Sequence, residues 1–554
     1  MKRPVFFLST GAVFLALSSL LIFTARRTSL VYDEVIYAPA GIHYWKVGDF
    51  RWNPEHPPLQ KLTSALPLLA AGVAIPAGLD PAKADGWRMG YRVFFENPSP
   101  LKLIFLARIP TIILTLLLGA LLFLWVKKQA GAQAALGALA AFAFDPLVIA
   151  NGALAMNDMF VTFFVFTAAL SFHRWTRDPH WRWAILSGAL AGAAIASKFS
   201  GLLLGPLFLF MLWRARPSDN KKRLVGLAAC AAATVFVILA CYRFDVAPLM
   251  SALRAGGSVH GAEGRDGFLL GPIPGASGWF YYPVATLIKT PAPLLVLWLA
   301  ALVTFFKKPR FVSPSVLLAP VAIFWAAALL SRNHFGVRYL LPATPFLAVV
   351  VGFYCASLKK RSEKLVYWGL LFWLVAGAVI AAPHAMADFN GLVGGAKNGH
   401  KWLDGSNQDW GQDLPALASL IEKQNPKPAL LMGYWGSNRP EAWGLNYQDV
   451  FSPAITNKFR TDTVNPVEAE REWLVVSAEL RHNPSTKYVY AWLNDKEPVA
   501  LLGGTLFVFD VTSDQESTMR LAEIYRMMGR EPLYRRQLER AAFIGTTSSK
   551  SLHP

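Results

Sequence analysis

Apolar stretches long enough to cross a bilayer recur along most of this 554-residue chain, and they restrict its fold before any motif is considered. They run at roughly 5–24, 104–126, 133–150, 157–173, 183–197, 199–213, 224–242, 285–306, 313–330, 338–357 and 365–382. In hydrocarbon each backbone N–H and C=O must be satisfied within its own segment, so such runs fold as helices. The sequence therefore predicts a polytopic α-helical membrane protein with about 11 transmembrane helices. Composition agrees, with 54% of residues hydrophobic and only 16% charged. The stretch 59–78 reads differently: Pro58, Pro67 and Pro76 make it a juxtamembrane helix lying in the interface.

A net charge of +19 could point to nucleic acid, but the basic residues form no single patch. They occupy short loops between apolar runs, which is a topology signal. With Lys2 and Arg3 in the cytoplasm, every second loop carries the basic clusters. These are Lys127-Lys128; Arg174, Arg177 and Arg182; Arg214, Arg216, Lys221, Lys222 and Arg223; Lys307, Lys308 and Arg310; and Lys359, Lys360, Arg361 and Lys364. Arg26 and Arg27 are the one exception. The first run lacks a small-residue cleavage site and reads as a retained helix. A membrane location with the N-terminus cytoplasmic follows as the expectation.

Three polar segments then face outward: 25–103, 243–283 and a tail from about 384. The tail alternates helical runs (Asp413–Lys423, Thr518–Met528, Pro532–Ala542) with strand-like runs (Ala429–Tyr434, Trp473–Ser477, Ala500–Val511). The expected division is a membrane domain over 1–383, a small extracytoplasmic α/β domain over 384–514, and a helical hairpin with its tail over 515–554. Cys230 and Cys241 lie eleven residues apart, about 16 Å along a helix, and cannot bridge.

Ionisable residues at a membrane edge cost free energy unless solvated or paired, so they mark candidate sites. Asp33 and Glu34 open the first external loop, and Glu55, His56 and Lys61 follow in its Pro-rich segment. Asp158 sits in the turn before the fourth run, Lys198 between the fifth and sixth, Lys289 near the start of the eighth, and Arg338 at the start of the tenth. The predicted orientation puts them all on one side. Each has a plainer reading. Asp33, Glu34 and Asp158 suit helix N-terminal turns, and the cations suit side chains snorkelling from helix ends. His56 reads as structural in preference to a metal ligand.

Together, carboxylates and cations at one interface suit a reaction with an anionic leaving group. A lipid-linked phosphate sugar supplies one at headgroup depth, where Lys or Arg neutralises it. One carboxylate acting as general base on an acceptor hydroxyl would suffice, in a single inverting displacement.

The order of these segments resembles a known family. An Asp-Glu follows the first run, then His56-Pro57-Pro58-Leu59, Asn157-Asp158, Ser197-Lys198-Phe199-Ser200-Gly201 and Gly336-Val337-Arg338-Tyr339-Leu340-Leu341-Pro342. Residues 267–293 and 389–414 look like two further blocks. The whole is similar to the GT-C membrane glycosyltransferases, closest to the bacterial branch of the dolichyl-phosphate-mannose protein mannosyltransferase family, which includes the lipid A aminoarabinose transferases. The resemblance implies a polyprenyl-phosphate-linked sugar as donor, mannose in the first place, and an acceptor hydroxyl on a protein Ser or Thr, a lipid or a surface glycan. Lipid A or envelope-glycan modification is the alternative within the class. The resemblance also implies the bacterial inner membrane as its location. It implies Asp33 as catalytic base, and Asp158 near the donor phosphate or an associated divalent cation, for which Asp33 and Asp158 are the candidate ligands. Glu34, Glu55, His56 and Lys61 would help to bind substrate, and Lys198, Lys289 and Arg338 would face the lipid phosphate. Asn151 and Ala153 depart from relatives that carry His or Arg there. A polyprenyl-lipid transporter fits less well, because the runs carry almost no charge at their centres. A non-catalytic assembly partner would not need Asp33 and Asp158. For Asp404, Asp409 and Asp413 in the tail the residues suggest a polar surface more than an acceptor or cation site.

Overall fold

The computed structural model describes residues 3–79, 86–215, 220–259, 267–273, 278–307, 314–452, 463–482 and 486–550. Lys2, Arg216, Lys308 and Arg310 of the basic loops, and 274–277 of one family block, lie outside them. The chain forms two compact units, one of residues 1–26, 33–267 and 273–392, the other of 27–32, 268–272 and 393–554. The helical pair near the C-terminus stays with the second unit.

The first unit is helical throughout. It opens with α1 (Arg3–Arg27), α2 (Glu34–Lys46), α3 (Leu59–Ala70), α4 (Gly86–Phe95) and α5 (Pro100–Ala130). Then come α6 (Ala132–Ala143), α7 (Pro146–Gly152), α8 (Asn157–Arg177), α9 (Trp181–Ser197), α10 (Leu204–Arg214), α11 (Asn220–Cys241) and α12 (Val246–Val259). The last are α13 (Tyr281–Lys289), α14 (Ala292–Lys307), α15 (Pro314–Leu330), α16 (Thr344–Ser357) and α17 (Arg361–Ala381). Helix therefore appears at every apolar run. Among the described residues, five segments are long and apolar enough to cross a membrane, or up to seven if each bent pair counts as one span.

The bends have a sequence cause. Proline removes an N–H donor and drives the residue before it out of the helical region. Asp145 is accordingly extended (ψ 118°) and its carboxylate accepts the Leu147 N–H, so run 133–150 becomes α6 and α7, 65° apart. At Thr290-Pro291 run 285–306 turns by 116°. The carbonyls released there are taken up by Asn390, whose Nδ2 donates to Leu287 and Thr290 and whose N–H donates to Ile288.

Close helix packing follows small residues, as it must where lipid removes the hydrophobic driving force. Gly188 and Gly192, one turn apart on α9, leave no room for a Cβ, which would lie 2.0 Å from the Cys230 carbonyl oxygen and 2.6 Å from that of Thr234. Thr234 Oγ1 also donates to the Gly188 carbonyl. Helix α16 is buried nearly all round, against α6 through Gly352. Leu8, Leu224, Phe236, Leu365 and Phe372 point outward, as a lipid-facing surface would have it.

In the second unit a five-stranded sheet has the order β4-β3-β5-β7-β6. Its strands are β3 (Ala429–Gly433), β4 (Tyr447–Asp449), β5 (Glu472–Ser477), β6 (Ala500–Leu502) and β7 (Leu506–Asp510); β1 (Gly267–Phe268) and β2 (Pro272–Ile273) form a separate pair. β3 runs parallel to β4 and β5, while β7 is antiparallel to β5 and β6. The single strand-like run expected over 500–511 is this β6–β7 hairpin, turned by Gly503 and Gly504 at φ 59° and 79°. Alternate residues face opposite sides. Leu474 and Val476 pack with Phe507, Leu521 and Ile524; Val475 packs with Leu414, Leu417 and Val508. Both faces are thus covered, which explains a β5 that is buried at every position. After α18 (Leu414–Glu422) and two short turns, α19 (Ala478–His482) and α20 (Lys487–Tyr490), the chain ends in α21 (Gln515–Met527) and α22 (Glu531–Lys550). From α22, Arg536 (2.6 Å) and Arg540 (4.0 Å) pair with the fully buried Glu472 at the start of β5.

Candidate active site

Asp158 is the second residue of α8 and is 1% exposed. Its carboxylate caps nothing. Oδ1 accepts from Lys198 Nζ at 2.6 Å and Oδ2 from Arg338 Nη1 at 3.2 Å. Lys198 lies in an extended link (φ −158°, ψ 138°) between α9 and a 3-10 turn, which turns its side chain away from the helix end. Arg338 rides on the 3-10 turn Val337–Ala343, which Gly336 enters at φ 102°. Tyr339 lies beneath both cations, with Lys198 Nζ 4.1 Å and Arg338 Cζ 5.6 Å from its ring centre. Lys198 and Arg338 thus share the Asp158 carboxylate, and the Asp33 charge also acts on Arg338.

Asp33 occupies the N-cap position of α2, yet its side chain makes no cap hydrogen bond and is half-exposed. Its charge and that of Asp158 both act on Arg338. One turn further on, Tyr37 is buried, and burial, then the Asp33 charge, hold its phenol well above the usual range. The Tyr37 ring meets His56 edge-on at 5.6 Å. Burial, then the cations Lys61, Lys198 and Arg338, push the His56 imidazole well below its usual value, so it is neutral at pH 7. Asp33, Glu55, His56, Asp158, Lys198 and Arg338 thus fall within one electrostatic neighbourhood.

Three expected binding residues are engaged in holding the protein itself. Glu34 is 1% exposed; Arg108 of α5 grips it with Nε (2.9 Å) and Nη2 (2.6 Å), and its Oε1 also accepts the Ala155 N–H at 2.6 Å. Arg108 Nη1 donates to the Ala25 carbonyl. Lys61 Nζ donates to the carbonyls of Asn53 and His56, at 2.5 and 2.7 Å, and lies 3.4 Å from Tyr44 Oη. The loop it shapes also has Asn53 Nδ2 on Glu55 Oε1. Lys289 belongs to a different group: its Nζ donates to the Met386 carbonyl, sits over the Phe389 ring, and has Asp388 as charge partner.

A sequence reading misses Arg108, Tyr37 and Tyr339. Arg108 has a signal, an arginine inside an apolar run. The two tyrosines have none, since nothing in sequence separates them from other aromatic residues. Both oxygens of Asp158 are committed to cations, and among the described residues no three of His, Cys, Asp and Glu converge.

Residues 102–242 match the family model described as dolichyl-phosphate-mannose-protein mannosyltransferase. Comparison with curated proteins gives no match. Among solved structures, the chain is similar to ArnT from Cupriavidus metallidurans, in the apo state and bound to undecaprenyl phosphate. Each is 16% identical over 90% of this chain and 97% of that one, at a TM-score of 0.48. The S. cerevisiae protein O-mannosyltransferase Pmt1-Pmt2 complex bound to the sugar donor is 19% identical over 46% of this chain and 35% of that one, at 0.31. These likenesses lend no residue a role. The family match falls on α5 to α11, the segment that carries Arg108, Asp158 and Lys198. Over residues 102–242 the chain is thus similar to the dolichyl-phosphate-mannose-protein mannosyltransferases, and its described helices include five long and apolar enough to cross a membrane.

Proposed function

We propose that this enzyme moves a hexose, mannose in the first place, from a polyprenyl-phosphate-linked donor to an acceptor hydroxyl on the external face of the membrane. The acceptor is a protein Ser or Thr, a lipid or a surface glycan. The observation that carries the reading is the placement of a non-capping carboxylate, Asp33, in the same electrostatic neighbourhood as two cations that both hold Asp158. The family's own description names dolichyl-phosphate-mannose, whose phosphate suits a pair of cations such as Lys198 and Arg338.

In this mechanism the acceptor oxygen attacks the anomeric carbon while Asp33 takes its proton. The bond from that carbon to the phosphate oxygen breaks, and its electron pair leaves with the polyprenyl phosphate. Arg338 and Lys198 neutralise the charge that grows on the phosphate. Asp158 holds the two cations in place and keeps them from repelling each other in a dry site. Inversion at the anomeric carbon follows from the single displacement.

The test is turnover of a polyprenyl-phosphate mannose donor by purified protein in lipid, with mass spectrometry of envelope glycans and glycoproteins to identify the acceptor. Asp33→Asn should abolish transfer while donor binding persists. Near-normal turnover in that variant sinks Asp33 as the base.

A further inference from the structure

The link 153–156 between α7 and α8 is buried and non-helical, so its main-chain groups need partners of their own. Ala153 N–H reaches back to the Ile149 carbonyl, and Met156 N–H takes the Leu154 carbonyl. Ala155, 1% exposed, has both of its groups taken by side chains from α2 and α3. Glu34 Oε1 accepts its N–H at 2.6 Å, and Gln60 Nε2 donates to its carbonyl at 2.7 Å. A carbonyl only accepts, so the amide nitrogen of Gln60 must face it.

Both side chains are themselves braced. Arg108 holds Glu34 through two hydrogen bonds, and the fully buried Ser64, one turn on from Gln60, lies 2.9 Å from its Nε2. The two helices also meet closely: a Cβ at Gly41 of α2 would stand 2.0 Å from the Lys61 carbonyl oxygen of α3. Glu34 directly follows Asp33, and Lys61, next to Gln60, holds the His56 carbonyl. Asp158 comes three residues after Ala155, once extended Met156 has turned the chain into α8. The transfer reaction gives Gln60 no task, yet it is shut away from solvent and spent on this one peptide.

We infer that Glu34 and Gln60 are positioning residues that clamp the peptide groups of Ala155, and so fix Asp158 and its two cations relative to Asp33. The inference rests on Asp33 being the base and on Lys198 and Arg338 meeting the donor phosphate. A single displacement needs the proton acceptor on one side of the reacting carbon and the cations on the other. A misplacement of about 1 Å costs up to about a hundredfold. The two sets ride on different helices, α2 and α8, and the clamp ties one to the other directly.

The experiment uses full-length protein in lipid and steady-state kinetics with a polyprenyl-phosphate mannose donor. It compares Gln60→Leu, Gln60→Glu and Ser64→Ala with Asp33→Asn. Gln60→Leu keeps the bulk and loses the donor, whereas Gln60→Glu keeps the shape and sets an acceptor against the Ala155 carbonyl. Each should lower kcat by about ten- to a hundredfold. Donor KM should stay within about threefold, since the interaction lost is one that matters in the transition state. Ser64→Ala removes only the brace and should lower kcat by about threefold. A purely structural role predicts less folded protein but wild-type kcat per folded molecule, and that result overturns the inference. A defect confined to KM overturns it as well. If neither Gln60 variant folds, Ser64→Ala decides by the same criteria. Wild-type kcat in the folded variants alongside a dead Asp33→Asn overturns the clamp alone; an active Asp33→Asn overturns the base, and the inference with it.

Discussion

Arg108 and Glu34 meet through two parallel hydrogen bonds, 2.9 and 2.6 Å long, with both side chains shut away from solvent. The pair joins α5 to the start of α2, one residue after Asp33, and through Ala155 to the approach of Asp158. Removing one partner leaves a buried charge uncompensated, at about 3–5 kcal/mol. Arg108→Met should therefore lower the unfolding temperature in detergent sharply, and adding Glu34→Met should restore part of it. An unchanged melt in the single variant would show the pair to be dispensable.

Arg338 and Lys198 share Asp158, but their geometry differs. The planar guanidinium of Arg338 suits two phosphate oxygens at once, whereas Lys198 is a point charge. Arg338→Gln should cost about a hundredfold in kcat, the scale seen when one donor to a developing anion is lost. Donor KM should move much less. A defect confined to KM would assign Arg338 to ground-state binding instead.

Asp158 accepts from a cation on each of its oxygens, so we expect no catalytic divalent ion beside it. Chelation should leave turnover unchanged. A loss restored by one added divalent cation would overturn this assignment.

Lys61 gives a pH signature. Burial pushes its amine from the ordinary 10.5 down to about 7. Between those values the unfolded chain carries a proton that the folded chain has released, so stability rises with pH across the window. Below about 7 the cost of the buried charge is fully present. Melts of the wild type and Lys61→Met from pH 7 to 10 should show the wild type gaining on the variant. Parallel curves would mean that the amine is not desolvated.

The helices were legible because a bilayer leaves an apolar run of this length little choice. Their breaks were written in Asp145-Pro146 and Thr290-Pro291, but the apolar flanks concealed them. Four site residues, Asp33, Asp158, Lys198 and Arg338, stood out because charge in apolar surroundings demands a reason. Glu34 and Lys61 did so on the same grounds, and their partners are internal. Whether a carboxylate meets Arg108 or a substrate depends on how α2 is rotated about its axis, and adjacent acidic residues do not encode that. Lys289 differs again: the 116° turn after it separates its surroundings from those of Arg338. The second unit's β4, three residues long, was too short to leave a pattern.

The hydrogen-bond partners of the segment 27–32 lie between residues 410 and 438, as far as 408 positions along the chain. During biogenesis the stretch leading into Asp33 therefore lacks these partners until residue 438 has been made. A chain arrested before that point would be without the contacts that order this lead-in.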